Sequence, residues 1–371
     1  MTPKVDLVGH PFARIGRGAR LGAAVRAFRQ VGIEPRVIDV GHWAQPPFAD
    51  EPGGDVQIFF VDADEAPVVL ETLGSRRPAR SFRIIQPTRE SAPYPRHWVR
   101  VLEGFDEVWA VSTFVGDALS RVVKTPVFTC PTPIGASVDQ ALGRRYFGIP
   151  ESSFAFLSAC DLRAHPERHN PGGVLEAFRR TVEARPRQDV VLVLKVGGLT
   201  DKTEAYHEFR SLVDRTTTAA GARSVLVLPG DMTEAESTSL LWSADCFVSL
   251  HRARGFGRVL AESMLLEKPV IATAYSGNMD FMSPDTACLV PFTLAPAPDP
   301  TSANGGQDQW AEPDLGQAVG YMLRLLDDRR HGRELGARAG RYVRTNLSDR
   351  AVGLRYLDRL AGIAAMRSSA A

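Results

Sequence analysis

The sequence predicts an α/β protein built on two parallel sheets, each covered by helices on both faces. Short apolar runs alternate with segments of helical periodicity, which is typical of parallel strands joined by crossover helices. This series occurs twice along the chain, and 371 residues exceed what one hydrophobic core usually organises. We therefore expect two doubly wound, Rossmann-like domains with a cleft between them.

The expected elements follow the apolar runs in chain order. In the first series the expected strands are residues 5–8, 36–40, 57–61, 83–85, 107–110 and 127–130, with helices near 20–31, 65–73, 97–103 and 113–121. In the second series the strands are 154–159, 190–196, 224–228, 246–250, 270–272 and 287–290, with helices near 172–184, 203–218, 234–243 and 258–266. Three further helices, near 314–327, 332–345 and 349–366, close the chain.

Proline and glycine indicate where the two series separate. Pro131, Pro133 and the Gly148-Ile149-Pro150 segment interrupt the pattern, so we place the boundary near residues 135–152. The expected domains are residues 1–145 and 146–346, followed by a helical segment at 347–371. Residues 295–313 are polar and proline-rich, and we interpret them as a long loop that is either mobile or functional.

Composition argues against several classes of protein. With 44% hydrophobic and 23% charged residues the chain reads as an ordinary soluble globular protein, and a formal net charge of +1 argues against nucleic-acid binding. The four cysteines are widely spaced without a C-x-x-C pair, which favours reduced thiols over a metal or disulfide framework. The sequence contains no signal-peptide core and no apolar stretch long enough to span a bilayer, so we expect a cytoplasmic protein.

The most informative segment is residues 249–282, SLHRARGFGRVLAESMLLEKPVIATAYSGNMDFM. Apolar residues precede it, so a buried strand ends near His251, and the Gly255-Phe256-Gly257 turn then leads into a helix. Free backbone N–H groups at such a helix start suit an anion. After the next strand comes a second glycine turn, Ser276-Gly277-Asn278.

This segment resembles the nucleotide-binding half of retaining GT-B glycosyltransferases, whose pattern carries an E-x(7)-E signature. The matching positions are His251, Arg252, Gly255, Phe256, Gly257, Leu260, Ala261, Glu262, Met264, Lys268, Pro269, Tyr275, Ser276, Gly277, Asn278, Asp280, Phe281 and Met282. Glu262 is the second glutamate of the signature, whereas Arg254 replaces the first. Residues 105–115, FDEVWAVSTFV, and 310–314, WAEPD, resemble further family segments.

The resemblance implies a GT-B fold, in which two Rossmann-like domains face each other across a cleft and the last helix packs back on the first domain. It implies a hexosyltransferase that moves a sugar from a nucleotide-diphosphate donor to a hydroxyl of a glycan or lipid-linked acceptor, with retention of configuration. A bacterial surface polysaccharide or a related glycan is the expected product. No cofactor and no metal ion is expected.

The implied residue roles mostly concern the leaving diphosphate, because negative charge develops there as the glycosidic bond breaks. Arg168, His169 and Lys195 are expected to bind this group, although His169 stands where the family has a lysine. A neutral imidazole is a poorer partner unless a nearby phosphate raises its pKa, and Arg163 is a possible substitute. Alternatively, Arg168 and His169 occupy a solvated helix entry.

The remaining roles concern the rest of the donor. Gly255, Phe256 and Gly257 would present backbone N–H groups to phosphate or sugar, and Glu262 would bind the ribose hydroxyls. Gly16 and Gly18 would close the cleft from the first domain. Asp231 and Glu236 would lie beside the nucleotide base.

Other motifs have plainer interpretations. Asp62 and Asp64 form a D-x-D that could hold a metal, but the sequence favours a strand end and helix cap. His165 and His169 have the spacing of a zinc pair, although Pro166 disfavours a regular helix across them. A set of arginines could face anionic lipid at the inner face of the membrane or lie on a solvated helix face. These are Arg17, Arg20, Arg26 and Arg29.

Alternative functions remain open at this point. Arg254 stands where the family has a glutamate, and His169 stands where it has a lysine. The replacement of two charged family residues favours a degenerate GT-B protein that binds a nucleotide sugar or a partner without transferring a sugar. A GT-B epimerase or phosphorylase is a more remote alternative. If the protein is active, the planar fork of Arg254 suits the carboxylate of an acidic donor sugar such as a uronic acid.

Overall fold

The computed structural model describes most of the chain. The described residues are 3–12, 17–41, 53–73, 81–87, 95–135, 142–163, 166–199, 203–220, 225–297 and 309–369. They divide into two compact units. Unit 1 contains the described residues up to Gly135 together with those from Thr345 onward, and unit 2 contains the described residues between them.

Strands and helices alternate through most of both units. The strands are β1 Val5–Gly9, β2 Arg36–Asp39, β3 Val56–Phe60, β4 Phe82–Ile85, β5 Glu107–Ala110, β6 Val127–Thr129, β7 Phe154–Asp161, β8 Val190–Gly197, β9 Val225–Pro229, β10 Cys246–Ser249, β11 Val270–Thr273, β12 Cys288–Val290, β13 Phe292–Pro296 and β14 Gln309–Pro313. The α-helices are α1 Arg17–Gln30, α2 Ala66–Leu73, α3 Arg96–Leu102, α4 Thr113–Ser120, α5 Pro166–His169, α6 Pro171–Ala184, α7 Glu204–Ala220, α8 Glu234–Ser243, α9 Arg258–Leu265, α10 Leu315–Asp327, α11 Arg329–Asn346 and α12 Asp349–Ser369. Short 3-10 helices lie at Arg144–Phe147 and Gly277–Asp280.

Unit 1 is built on a six-stranded parallel sheet with the strand order β2-β1-β3-β4-β5-β6. Every residue of β1, β3 and β5 is buried, as expected for strands with helices on both faces. Leu7 on β1 lies opposite Ile58 on β3, and both side chains belong to the core of this unit.

The C-terminal helix α12 completes the core of unit 1. Tyr356 on α12 is fully buried and stacks on Trp109, with ring centroids 5.2 Å apart, and it also contacts Phe28 on α1. Arg359 donates hydrogen bonds to the buried carboxylate of Glu107 on β5. The core that the first residues of the chain begin is therefore covered by its last helix.

Unit 2 repeats the architecture with the strand order β12-β11-β10-β7-β8-β9, again entirely parallel. Helices α6 and α7 pack against each other, and α10 packs against α6. Phe156, Phe178 and Leu192 lie in its core with Met322 from α10. The predicted α/β class with two parallel sheets is confirmed.

The interpretation of residues 295–313 as one long loop is wrong at both ends. Ala295 and Pro296 belong to β13, which pairs antiparallel with β14 from Phe292↔Pro313 to Pro296↔Gln309. Proline is tolerated at the ends of such an isolated pair of strands. Leu294 is half exposed, and the segment lacks the alternation of apolar and polar residues that would have predicted a strand. Residues 298–308 lie outside the described part of the chain.

None of the helices in the described ranges is long and apolar enough to cross a membrane.

Candidate functional site

The strand order of unit 2 creates a switch point between β7 and β10. From β7 the chain continues to β8 on one side, whereas β10 lies on the other side of β7. Loops that leave the carboxyl ends of these two strands diverge above the sheet, and such crevices bind ligands in open α/β sheets. The loop after β7 leads to Arg168 and His169, and the loop after β10 leads to Arg254.

Two glycine turns fit against each other after β10 and β11. The backbone N–H of Gly277 donates to the carbonyl of Arg254 at 3.0 Å. A Cβ atom on Gly277 would lie 1.9 Å from the carbonyl oxygen of Gly255, so no larger residue fits there. Gly257 has a φ of +90°, which favours glycine, and it begins α9. The sequence predicted both turns, and the structure brings them into direct contact.

The helix starts on the two sides of the switch point differ in how they are capped. Asn170 caps α6, because its Oδ1 accepts the N–H of Gly173 at 3.0 Å. No side chain caps α9, because its N-cap residue is Gly257. The first N–H groups of α9 and the positive end of its dipole therefore suit a ligand anion.

His251 anchors the turn after β10 from inside the protein. Its side chain is fully buried, and its Nε2 donates to Asn278 Oδ1 at 3.0 Å, while Ser249 Oγ lies 3.1 Å from its Nδ1. Asn278 in turn donates from Nδ2 to the carbonyl of Thr273 at 3.0 Å. Burial lowers the pKa of His251 to about 4, with a smaller contribution from Arg254, so the imidazole is neutral. Sequence reasoning gave His251 no role, although its place at a strand end was visible.

Arg252, in the loop after β10, contacts two segments that are distant in the sequence, β14 and α5. It donates to both carboxylate oxygens of Glu312, at 2.6 and 3.1 Å, and to the carbonyl of Glu167 at 2.8 Å. Its guanidinium also lies over the ring of Trp310, 4.7 Å from the centroid. Arg252 thus fixes β14 and α5 against the loop after β10. Sequence reasoning missed this role, because the partners lie 60 and 85 positions away.

Arg254 and His169 contact each other across the switch point. One terminal nitrogen of Arg254 lies 3.1 Å from His169 Nδ1, and because a guanidinium can only donate, Nδ1 accepts this hydrogen bond. Burial lowers the pKa of His169 well below 6.5, and the charges of Arg254 and Arg168 lower it further. The imidazole of His169 is therefore neutral.

Lys195 and Glu262 lie together on the other side of the site. Lys195 Nζ donates to Ser237 Oγ at 2.6 Å, and burial lowers the pKa of its ammonium group. Glu262 accepts from Arg258 Nε at 2.6 Å, and burial raises the pKa of this carboxyl group. Each side chain shifts the pKa of the other, which indicates that their charges are close.

The other residues expected at the donor have local partners. Asp231 accepts from Arg163 at 3.1 Å, and Arg163 also binds both oxygens of Asp161. Glu236 closes a capping box with Thr233 at the start of α8, where it also accepts from a tyrosine hydroxyl. Phe256 is buried against Phe281, with ring centroids 5.1 Å apart.

Gly18 and the D-x-D residues Asp62 and Asp64 lie in unit 1, and two other candidate positions lie outside the described residues. Gly18 is buried in the first turn of α1. Asp64 accepts from Trp98 Nε1 at 2.6 Å and contacts His97 at 2.9 Å. Gly16 and His165 are not among the described residues. Within the described ranges, no group of three or more His, Cys, Asp or Glu side chains is arranged to hold a metal ion.

Solved structures identify the class of fold as GT-B. Sucrose-phosphate synthase from Thermosynechococcus elongatus superposes with a TM-score of 0.70 at 16% identity, covering 98% of this chain and 99% of that one. Anabaena Alr3699/HepE in complex with UDP and glucose gives 0.69 at 12% identity, covering 97% and 100%. A glycosyltransferase from Rickettsia africae gives 0.63 at 15% identity, covering 98% and 99%.

The sequence match is confined to the part that carries the site. Residues 156–298 match the family model described as glycosyl transferases group 1. That range begins on β7 and includes both glycine turns. No curated protein matches the chain significantly.

Proposed function

We propose that the protein is a retaining glycosyltransferase that moves a hexose from a nucleotide-diphosphate donor to a hydroxyl of a glycan or lipid-linked acceptor. The observation that carries this proposal is the pair of interlocked glycine turns at the switch point, followed by the uncapped start of α9. Such a turn lets the backbone approach a phosphate closely, and the helix start supplies N–H donors. The family match over the same residues supports a nucleotide sugar as the ligand.

The donor binds, in this proposal, along the carboxyl edge of the unit 2 sheet. Gly255, Phe256 and Gly257 present backbone N–H groups to the diphosphate or the sugar. Arg168 lies on α5 and Lys195 lies on β8, and their positive charges stabilise the diphosphate as it leaves. Glu262 accepts hydrogen bonds from the ribose hydroxyls, for which its second oxygen is suited because Arg258 holds the first.

The reaction requires charge stabilisation more than a strong nucleophile. The bond from the anomeric carbon to the donor phosphate breaks, and its electron pair remains on the diphosphate. The acceptor oxygen forms the new glycosidic bond on the same face, and its proton passes to an oxygen of the departing diphosphate. Preorganised cations and N–H donors stabilise the developing negative charge in this step, and the proposal requires no metal ion.

The biological setting proposed is bacterial glycan or surface polysaccharide synthesis at the cytoplasmic side of the membrane. Two of the four α1 arginines that were considered for lipid contact have acidic partners in the protein: Arg26 pairs with Asp349 at 2.9 Å, and Arg29 pairs with Glu34 at 2.6 Å. These pairs favour a solvated helix face over a lipid-binding one.

A second candidate function is a catalytically degenerate GT-B protein. It is favoured by one observation, the hydrogen bond between Arg254 and His169, because both residues replace charges that the resemblance leads one to expect. Such a protein would bind a nucleotide sugar without transferring the sugar.

A panel of UDP- and GDP-linked sugars tests the proposal by thermal shift, because a ligand selective for the folded state raises apparent stability. UDP-glucose is a suitable first probe. We expect nucleotide diphosphates to raise the midpoint and nucleosides to do so weakly, with Arg168→Gln reducing the shift and the exposed Arg330→Gln leaving it unchanged. The absence of a shift with every nucleotide diphosphate at millimolar concentration contradicts both candidate functions. Mass spectrometry then separates them, because only a transferase releases the free nucleoside diphosphate.

A further inference from the structure

A cavity of about 390 Å³ lies in unit 2 between the starts of α6 and α7. Small-molecule sites in proteins have volumes of about 300–1,000 Å³, so the cavity has the size of such a site. Ala205, Phe209 and Leu212 form one wall, because residues at this spacing share one face of α7. Gly172 of α6 lies opposite, where an added Cβ atom would meet no atom closer than Leu212 Cδ1 at 3.8 Å. The glycine therefore leaves the space open.

The cavity lies on the opposite side of the unit 2 sheet from Lys195. Phe209 belongs to the same core as Leu194 and Val196 of β8. Lys195 stands between these two residues, and successive side chains of a strand point to opposite faces of the sheet. A ligand in the cavity would therefore not occupy the space around Lys195 that is proposed for the nucleotide donor.

Negative charge dominates the polar lining of the cavity. The described residues that line it include one arginine and four glutamates, which are Arg252, Glu167, Glu176, Glu208 and Glu312. Glu176 pairs with two arginines of its own helix, and Glu312 pairs with Arg252. The exposed carboxylates of Glu167 and Glu208 pair with no cation in the described part of the chain. The charge of the cavity is thus complementary to a cation.

Asn170 adds a buried hydrogen-bond donor to the wall. Its side chain is 3% exposed, and its Oδ1 accepts the N–H of Gly173 at 3.0 Å, whereas its Nδ2 has no acceptor among the described residues. A Cβ atom added to Gly173 would lie 2.5 Å from Nδ2, so the amide lies against Gly173, which also lines the cavity. Because a buried donor without an acceptor costs free energy, an oxygen atom supplied by a ligand would be stabilising here.

We propose that this cavity is a second ligand site, which takes an ammonium or guanidinium group on an aliphatic chain that also carries a carbonyl oxygen. The chain packs against Phe209 and Leu212, the cation pairs with Glu208 on the same helix face, and the carbonyl accepts from Asn170. Lysine and arginine residues combine these three features. The site goes beyond the proposed transferase function and does not depend on it.

Three small compounds separate the three features. N-acetyl-lysine methylamide carries all of them, the norleucine analogue lacks the cation, and 1-aminopentane lacks the carbonyl. In ligand-observed NMR titrations we expect the lysine compound to bind about three- to tenfold more tightly than either of the others, since an ion pair or hydrogen bond at a partly exposed site contributes modestly. Binding of the lysine compound no tighter than that of the norleucine compound overturns the proposal.

A longer peptide distinguishes the two sources of this chemistry. A lysine flanked by two glycines on each side is compared with the single-residue compound. Tighter binding of the peptide supports the site and identifies its ligand as a basic segment of a partner protein. Equal binding supports the site as well and identifies a free small cation.

Two variants test the location of the site. Glu208→Gln is expected to reduce the preference for lysine over norleucine by about threefold. The matched control Glu71→Gln removes one exposed carboxylate from α2 in unit 1 and should leave that preference unchanged. Ala205→Phe fills the cavity and should abolish binding of all three compounds, while its UDP binding and thermal midpoint verify that unit 2 is folded.

Binding of the lysine compound by a folded Ala205→Phe protein with wild-type affinity places the ligand elsewhere and overturns the proposal. An equal loss of preference in Glu208→Gln and Glu71→Gln overturns it too, because the effect would then come from net charge alone. Failure of the wild-type protein to bind UDP contradicts the proposed transferase function and leaves this site standing.

Discussion

Gly277 lies so close to Gly255 that a Cβ atom on Gly277 would be 1.9 Å from the carbonyl oxygen of Gly255. The next two nearest atoms are also backbone atoms, at 2.5 and 2.9 Å, so no side chain can move aside to make room. The backbones of the turn after β10 and the turn after β11 therefore pack directly against each other. Anything that separates them also displaces the start of α9.

Gly277→Ala is expected to destabilise unit 2 by about 1–3 kcal/mol and to weaken UDP binding, because the two turns must separate. The matched control is Gly320→Ala on α10, where nothing lies within 4 Å of the added Cβ. That substitution is expected to leave binding unchanged and to add roughly 0.5–1 kcal/mol of stability, since alanine favours helix. Denaturant melts and calorimetry measure both effects. Similar stability of the two variants would contradict the close packing of the turns.

Stability is expected to fall as the pH is lowered from about 6.5 towards 4, because His251 has a pKa of about 4 in the folded protein and an ordinary value of 6.5 when unfolded. The unfolded state binds the proton first, so acidification favours unfolding. At 1.36 kcal/mol per pH unit, the lowered pKa of His251 reduces the free energy of unfolding by roughly 3 kcal/mol once the pH has fallen to the folded-state pKa. Above the unfolded-state pKa this loss of stability is absent.

The pKa of His169 is lowered in the same direction and adds to this acid sensitivity. His169→Gln should therefore reduce the slope of stability against pH in this window. Thermal midpoints at closely spaced pH values provide the measurement. An identical slope in wild type and His169→Gln would show that folding does not lower the pKa of His169.

Removing Arg359 is expected to destabilise unit 1 by about 3–5 kcal/mol, because Arg359→Ala leaves the Glu107 carboxylate buried without its cation. The guanidinium also lies 3.7 Å from the ring centroid of Phe128, so packing is lost too. The exposed pair Arg330–Glu334 is the control, and Arg330→Ala should cost about 0.5 kcal/mol or less. A loss for Arg359→Ala as small as the control would mean that water reaches Glu107 readily.

Ligand binding is expected to survive chelation, because the proposed diphosphate ligands are Arg168, Lys195 and backbone N–H groups. Asp64 is occupied by Trp98 and His97, so Asp64→Asn should leave UDP affinity unchanged. Calorimetric titration of UDP with and without EDTA tests this. Loss of binding in EDTA, restored by manganese or magnesium, would revive the D-x-D as a metal site.

Glu262→Gln is expected to lower UDP affinity about tenfold while changing dUDP affinity less, because a carboxylate accepts from ribose hydroxyls more strongly than an amide does. The variant also weakens the hydrogen bond from Arg258, so Arg258→Gln is the comparison that separates the two effects. If both nucleotides lose the same factor, Glu262 acts only through Arg258.

The fold was predictable from the sequence because burial of parallel strands on both faces leaves continuous apolar runs. Each of the twelve expected strands overlaps a strand of the two parallel sheets. The hairpin β13–β14 was missed because its residues are partly exposed and include proline. The glycine turns could be predicted because only glycine fits where two backbones are in direct contact, as at Gly277.

The pairings within the site were not predictable in the same way. Arg254 and His169 lie 85 positions apart, and nothing in either local sequence indicates the other. The same holds for Arg252 and Glu312, whose contact depends on where β14 packs. Local sequence patterns therefore predicted which residues lie at the ends of the strands beside the switch point. Which of these residues contact each other depends on the order of the strands in the sheet.

The position of α12 in unit 1 has a consequence for synthesis on the ribosome. The strands of this unit are complete at residue 129, but Tyr356 and the rest of α12 emerge only after unit 2 has been made. At roughly 5–20 residues per second, the growing chain waits on the order of ten seconds or more before the helix that covers Phe28 and Trp109 becomes available. Unit 2 can therefore fold before unit 1, although most of unit 1 is synthesised earlier. A nascent chain stalled before α12 would present an apolar face to chaperones, so deletion of α12 should lower solubility before it affects the proposed donor site in unit 2.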